Sequence, residues 1–273
     1  MEKLKISLSF LFAVMFSYMA SAQNIIKGRI VNEQGQGIEY ANIIVGNAYT
    51  MSNAEGYYEL NLSTEKDTFM TISHISYETL HTSIYNHKII TMKSRQNQLP
   101  VVTVAGKKCK EKKIVRKGMK LPGDIMLDNY TSPIEEIGSV VSISKDYLVR
   151  NLEFEVKNSS YDFCRLRIII YDINNQTFTP IMRKPLYVEC KKNADDYTYH
   201  VKIDEKIVLQ KRHDYYLGLC VVEGTEGCNI TFPLYVHSSY ARNLKNGKVR
   251  KLPVSIGMSL TGVEYSNCRR SKE

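Results

Sequence analysis

Several residue pairs in this chain have catalytic potential by type and spacing. Ser63–Lys66 and Ser142–Lys145 both fit Ser-x-x-Lys, a spacing that on a helix sets an amine one turn from a hydroxyl it can activate. Both fall in strand or turn contexts here, with no Lys-Thr-Gly or Ser-Asp-Asn run, so they read as coincidence. His213-Asp214 follows Lys211-Arg212, but adjacent residues of an extended chain point apart. That pair reads as a polar lead-in to a strand. Glu135-Glu136 and Asp195-Asp196 raise glycoside hydrolysis, which needs two carboxylates ~5–9.5 Å apart across a cleft. Acids adjacent in sequence near turns do not supply that geometry, and solvated loop charge is the better account. His74, His81 and His87 lie in different expected strands or turns and lack the ligand spacing of a metal site. No Gly-x-Ser-x-Gly, His-Glu-x-x-His or phosphate-binding loop is present. The expectation is a protein with no catalytic residue, no metal and no cofactor.

The first 22 residues read as a signal peptide. Lys3 and Lys5 give a positive start, Leu8 to Met19 form an apolar run, and Ala20-Ser21-Ala22 supplies a small-residue cleavage site. The run is too short to span a ~30 Å bilayer well. The expected location is therefore exported, periplasmic or associated with an outer membrane. Export changes the meaning of Cys109, Cys164, Cys190, Cys220, Cys228 and Cys268, because an oxidising compartment permits disulfides. Cys220 and Cys228 flank Glu223 to Gly227, a turn-like stretch, and are the favoured pair. Cys164 and Cys190 sit in apolar runs, where a free thiol acts as a small hydrophobe.

The formal net charge of +9 is concentrated in residues 106–120. There Lys107, Lys108, Lys110, Lys112, Lys113, Arg116, Lys117 and Lys120 face a single acid, Glu111. Export makes nucleic acid a poor partner for such a run. Two compatible readings remain: a solvated interdomain linker kept extended by self-repulsion, and docking on an anionic membrane surface. Lys107, Lys108, Lys110, Lys112, Lys113, Arg116 and Lys117 are the docking candidates.

With 43% hydrophobic and 24% charged residues over 273 positions, the chain can bury two cores. From residue 24 to 105 the pattern is β. Short alternating runs at 25–31, 40–45, 49–52, 57–62, 69–73, 79–84 and 87–92 are broken by polar turns such as Asn32 to Gly37 and Asn53 to Gly56. Their brevity predicts a small antiparallel sandwich. Gly28-Arg29-Ile30-Val31, Gly37 to Ile43, Ser52 to Leu60 and His74 to Thr79 resemble, in that order, the carboxypeptidase regulatory-like domain. That resemblance implies a transthyretin-like β-sandwich and a Bacteroidetes-type envelope protein. Ser76 stands where the family usually has Gly. Gln98 to Gly106 resembles the strand that joins this domain to the plug of TonB-dependent receptors, with Pro100 in place of an acid. About 22 barrel strands at ~9–11 residues each exceed the length of chain remaining after Gly106, so no receptor channel is expected.

Residues 121–273 continue in β. Runs at 140–144, 148–156, 166–173, 184–190, 197–203, 215–222, 229–236 and 254–260 predict a second, jelly-roll-like β-sandwich. A short turn is expected near Ser132 to Ile137. Tyr197 and Tyr199 fall on one face of a strand, and Tyr215 and Tyr216 on opposite faces. Exposed tyrosines offer flat platforms for a sugar ring or a partner surface. The sequence thus predicts an all-β, two-domain protein that acts as an interaction or accessory module for an envelope protein partner. Carbohydrate binding through Tyr197, Tyr199, Tyr215 or Tyr216, with a polysaccharide as partner, is the alternative.

Overall fold

The computed structural model describes residues 24–62, 67–86, 88–95, 110–128, 135–193 and 195–264. The signal-peptide reading, Ser63–Lys66, His87, the Gln98 to Gly106 stretch, Lys107, Lys108, Cys109 and Cys268 lie outside those residues. The chain is all-β, with strands arranged in several multi-stranded sheets. Among the described residues no helix is long and apolar enough to cross a membrane. The chain divides into two compact units, residues 1–73 with 79–92 and residues 74–78 with 93–273.

The first unit contains β1 (Ile25–Val31), β2 (Asn42–Val45), β3 (Ala48–Met51), β4 (Tyr57–Asn61), β5 (Phe69–Ser73), β6 (Leu80–Ser83) and β7 (Ile89–Thr91). One sheet runs β4-β1-β7 and the other β3-β2-β5-β6. Ile30, Ile43, Val45, Tyr58, Leu60, Met70 and Ile72 are buried, as the two-residue period requires of strands with one wet face. Tyr58 of β4 places its hydroxyl 3.9 Å from the Met70 sulfur of β5, a contact from one sheet to the other. Burial raises the Tyr58 phenol to about 12.

The Ser52 to Tyr57 turn explains why those residue types recur in sequence. The Ser52 hydroxyl donates to the Ile38 carbonyl at 2.7 Å and accepts from the Ala41 N–H at 2.9 Å. Asn53 accepts from the N–H groups of Glu55 and Tyr57, closing an Asx-type turn. Gly56 has φ +85°, and a Cβ there would lie 2.9 Å from the Gly37 Cα. Both its torsion and its close approach therefore demand glycine.

The second unit contains β8 (Lys112–Val115), β9 (Met119–Leu127), β10 (Glu135–Ser142), β11 (Tyr147–Val156), β12 (Asn158–Ser159), β13 (Cys164–Asn174) and β14 (Thr177–Pro180). These are followed by β15 (Leu186–Cys190), β16 (Tyr197–Lys202), β17 (Val208–Leu209), β18 (Asp214–Gly224), β19 (Ile230–Asn243), β20 (Val249–Ile256) and β21 (Met258–Glu264). A nine-stranded sheet has the path β12-β19-β10-β18-β13-β14, with β15 on β13 and both β20 and β9 on β19. A five-stranded sheet runs β16-β11-β21-β8, with β17 on β11. One core unites the two: Leu152, Phe154 and Leu260 of the smaller sheet pack with Leu166, Ile168, Leu217, Leu219 and Phe232 of the larger. The Phe154 and Phe232 ring centroids are 6.4 Å apart. Each such fully buried side chain contributes about 1.5–3 kcal/mol.

Three expectations change here. The linker reading of 106–120 gives way at Lys112–Val115, which pairs with β21, and at Met119 and Lys120, which pair with Val236 and Tyr235 of β19. Ile114 and Val115 supply the apolar contacts that hold this basic strand down. Second, residues 135–137 belong to β10, not to a turn. Third, the expected run at 254–260 is two strands that join at Gly257. The Asn174 to Gln176 turn stands as expected: Asn175 and Gln176 have φ +48° and +63°, the torsions of a tight two-residue hairpin.

Candidate functional site

Strand β11 turns Leu152, Phe154 and Val156 into the core, so Glu153 and Glu155 emerge together on the outer face of the five-stranded sheet. Glu153 accepts from the Ser259 hydroxyl at 3.0 Å and lies 3.2 Å from His200 Nδ1 and 3.9 Å from Lys113 Nζ. Glu155 receives Lys117 Nζ at 2.5 Å, the Tyr235 hydroxyl at 2.6 Å and Lys120 Nζ at 3.8 Å. Lys120 continues to Asp196 at 2.9 Å, and that bond raises its ammonium. At the end of β21, the strand next to β11, Glu264 meets Lys145 at 3.0 Å and Lys112 at 3.8 Å. The result is a face of interlocked charges.

Partial burial pushes both Glu153 and Glu155 upward, but their hydrogen bonds and neighbouring cations outweigh it and hold both below the usual carboxylate range. They stand two residues apart on one strand, a backbone rise of about 6.6 Å, so they are the acid pair in this unit to weigh against the two carboxylates of a glycosidase. A general acid must hold a proton near neutral pH. Both groups are instead held ionised, which suits an ion-pair scaffold.

Among the described residues, the basic segment is therefore engaged in part. Lys112, Lys113 and Lys117, expected to dock on an anionic surface, each reach a carboxylate of their own unit. Lys110 and Arg116 are exposed.

The four tyrosines part company. Tyr215 and Tyr216 do lie on opposite faces of β18, but they are 2% and 0% exposed. Neither can stack on a sugar, and the platform expectation is corrected for both. Tyr215 fills the main core and its hydroxyl accepts from the Gln210 N–H at 2.8 Å. Tyr216 donates to the Glu136 and Tyr240 carbonyls. Tyr199 is half-buried and stacks on Phe154 with centroids 5.1 Å apart. Tyr197 is 56% exposed, with its ring edge-on to Tyr199 at 4.8 Å. It sits on β16, which ends the five-stranded sheet and, among the described residues, pairs with β11 alone.

The Cys220–Cys228 pair is also corrected, on the placement of the two residues. β18 and β19 do not form a hairpin, because β18 pairs with β10 and β13. Cys220 shares the outer face of the nine-stranded sheet with Arg167, whereas Cys228 packs against the core between the sheets.

Other candidates disperse. Ser142 donates to Asp214 while Lys145 turns to Glu264. His213 pairs with Asp172 at 2.8 Å rather than with its neighbour Asp214. His74 belongs to the second unit and His81 to the first, where it meets Thr71. Among the described residues no three His, Cys, Asp or Glu side chains are grouped to hold a metal.

Glu136 was expected as solvated loop charge and is instead wholly buried in β10. It receives Arg242 Nη1 at 2.7 Å and the Tyr171 hydroxyl at 3.0 Å. The guanidinium lies over Phe178, Tyr171 and Tyr216 at 4.2, 4.6 and 5.8 Å. The cluster fills the outer face of the nine-stranded sheet with the protein's own cation. Arg242 and Phe178 carry no local sequence signal of this, because the contact is set by the register of strands far apart in the chain.

What the fold defines is an all-β protein built of stacked sheets. No protein-family model matches the chain, and no curated protein matches it.

Proposed function

We propose that this is a non-catalytic exported protein of the cell envelope, an interaction module whose contact surface centres on Tyr197 and the outer edge of β16. The observation that carries the reading is the bracing of an exposed ring. Tyr197 is 56% exposed yet fixed against Tyr199, which is itself stacked on buried Phe154. A ring already held in place loses little conformational freedom on binding. Among the described residues the strand beneath it has one unpaired edge, a template to which an extended segment of a partner protein can add by main-chain hydrogen bonds.

The same ring favours the second reading, a polysaccharide stacked on Tyr197. The export half of the proposal rests on the signal-peptide pattern of residues 1–22, and the envelope assignment on the resemblance to carboxypeptidase regulatory-like domains. Docking on an anionic membrane would fall to Lys107, Lys108, Lys110 and Arg116, since Lys112, Lys113 and Lys117 have carboxylate partners.

A photo-crosslinking residue in place of Tyr197 in the full chain, irradiated in cells, tests the proposal. Discrete protein adducts that are absent when the probe replaces Thr231 are the expected result. Adducts removed by glycosidases would establish the polysaccharide reading instead. No adduct at position 197 would overturn both.

A further inference from the structure

We infer that Cys164 and Cys190 are a disulfide pair, closing under oxidising conditions to tie β13 to β15. The two residues are direct register partners on adjacent antiparallel strands. Directly opposed antiparallel residues have Cα atoms about 4.5–5.5 Å apart, within the range that a disulfide spans. Both side chains point the same way, into the core between the sheets, and both are fully buried. Cys220 and Cys228 have no such relationship, since Cys220 lies on the outer face of β18 while Cys228, in the turn before β19, packs against the core between the sheets.

Both thiols are reduced in this structure, and their surroundings set how they can react. Burial raises both: Cys190 to about 11, eased by a hydrogen bond with the Tyr199 hydroxyl, and Cys164 further, with Cys190 beside it adding to the effect. The thiolate is the attacking species, so closed cores make both sulfurs slow. The bond must therefore form while the chain folds, before the two sheets close over the pair. The chemistry is thiol–disulfide exchange with a disulfide oxidant, a small-molecule or protein disulfide. One cysteine thiolate attacks the oxidant and releases one of its thiols. The second cysteine then displaces the other thiol, so that two S–H bonds become one S–S bond and the oxidant takes up two electrons and two protons.

The inference shares the export reading, because only an oxidising compartment would close the bond in the cell. The two can fail separately. The full chain is unfolded in denaturant with reductant and refolded in a mixture of oxidised and reduced glutathione. Remaining thiols are then alkylated and the protein is digested without reduction. The expected product is a peptide pair joining 164 to 190, two hydrogen atoms lighter than the separate peptides and absent from Cys164→Ser. The oxidised protein should melt about 5–10 °C above its reduced form, because the bond constrains the unfolded chain. Alkylation of both cysteines after refolding, or a bond from either to Cys220 or Cys228, would overturn the pairing. A bond after refolding that is missing from cell-derived protein would confirm the pairing and count against export.

Discussion

Arg242 and Glu136 face each other directly across β19 and β10, with Nη1 2.7 Å from a carboxylate that has no exposure to solvent. Three aromatic rings lie over or beside the guanidinium. A carboxylate buried this fully depends on its cation, since a lost partner leaves the other group's desolvation uncompensated.

Arg242→Met should therefore destabilise the second unit by about 3–5 kcal/mol, read as a shift in the urea midpoint. Adding Glu136→Gln to it should recover part of the loss, because the orphaned charge is removed. A cost under about 1 kcal/mol for Arg242→Met would mean that the pair contributes little.

Gly218 opposes Gly138 across β18 and β10, and the missing side chain leaves room for the same cluster. A Cβ at Gly218 would lie 2.6 Å from Glu136 Cδ and 2.7 Å from Tyr216 Cε1. Gly218→Ala should cost about 1–3 kcal/mol through overpacking. Gly227→Ala faces open space at φ +75° and should cost only about 1 kcal/mol, from the torsion alone. Equal melting temperatures for the two variants would contradict this account.

Burial, with Arg167 and Arg95 nearby, lowers His74 to about 3. The folded protein keeps this ring neutral while the unfolded chain takes up a proton below its ordinary value near 6.5. Stability should then fall as pH drops from about 6.5 toward 3, by up to about 1.4 kcal/mol per pH unit. His74→Gln should flatten the decline between pH 6.5 and 4.5. An unchanged slope would show that the ring titrates in the folded state.

The carboxylate face should respond lower on the pH scale. Glu153 and Glu155 are held below their ordinary values when folded. Their contribution is complete above the unfolded value near 4.3 and is lost as pH falls through the folded values. Glu155→Gln should remove part of that acid limb and leave the His74 region unchanged. Lys117→Ala should cost about 1 kcal/mol at low salt and less at high salt. A salt-independent effect would assign the loss to packing instead.

Much of the β architecture was legible in the chain itself. Alternation at Leu152, Phe154 and Val156 marked β11, and the Asn53 to Gly56 and Asn174 to Gln176 turns marked reversals. These signals are local: a two-residue period and the torsions of Asn and Gly need no distant partner. Charge density, by contrast, misled at 112–120. Eight cations in fifteen residues read as a self-repelling linker, while acids that pair with Lys112, Lys113, Lys117 and Lys120 sit on β11, β21 and the turn before β16.

The sequence by itself determined most of the strands, the Asn53 to Gly56 and Asn174 to Gln176 turns and the two-face placement of Tyr215 and Tyr216, because each depends on residues within a few positions of one another. Only the tertiary structure decided which tyrosine remains in contact with solvent, that Glu136 meets Arg242, and that Cys164 faces Cys190. Those outcomes depend on the register between strands separated by tens of residues, and on which sheet covers which face. Register is fixed by burying both sheets' inward side chains at once, a condition that no short stretch of sequence contains.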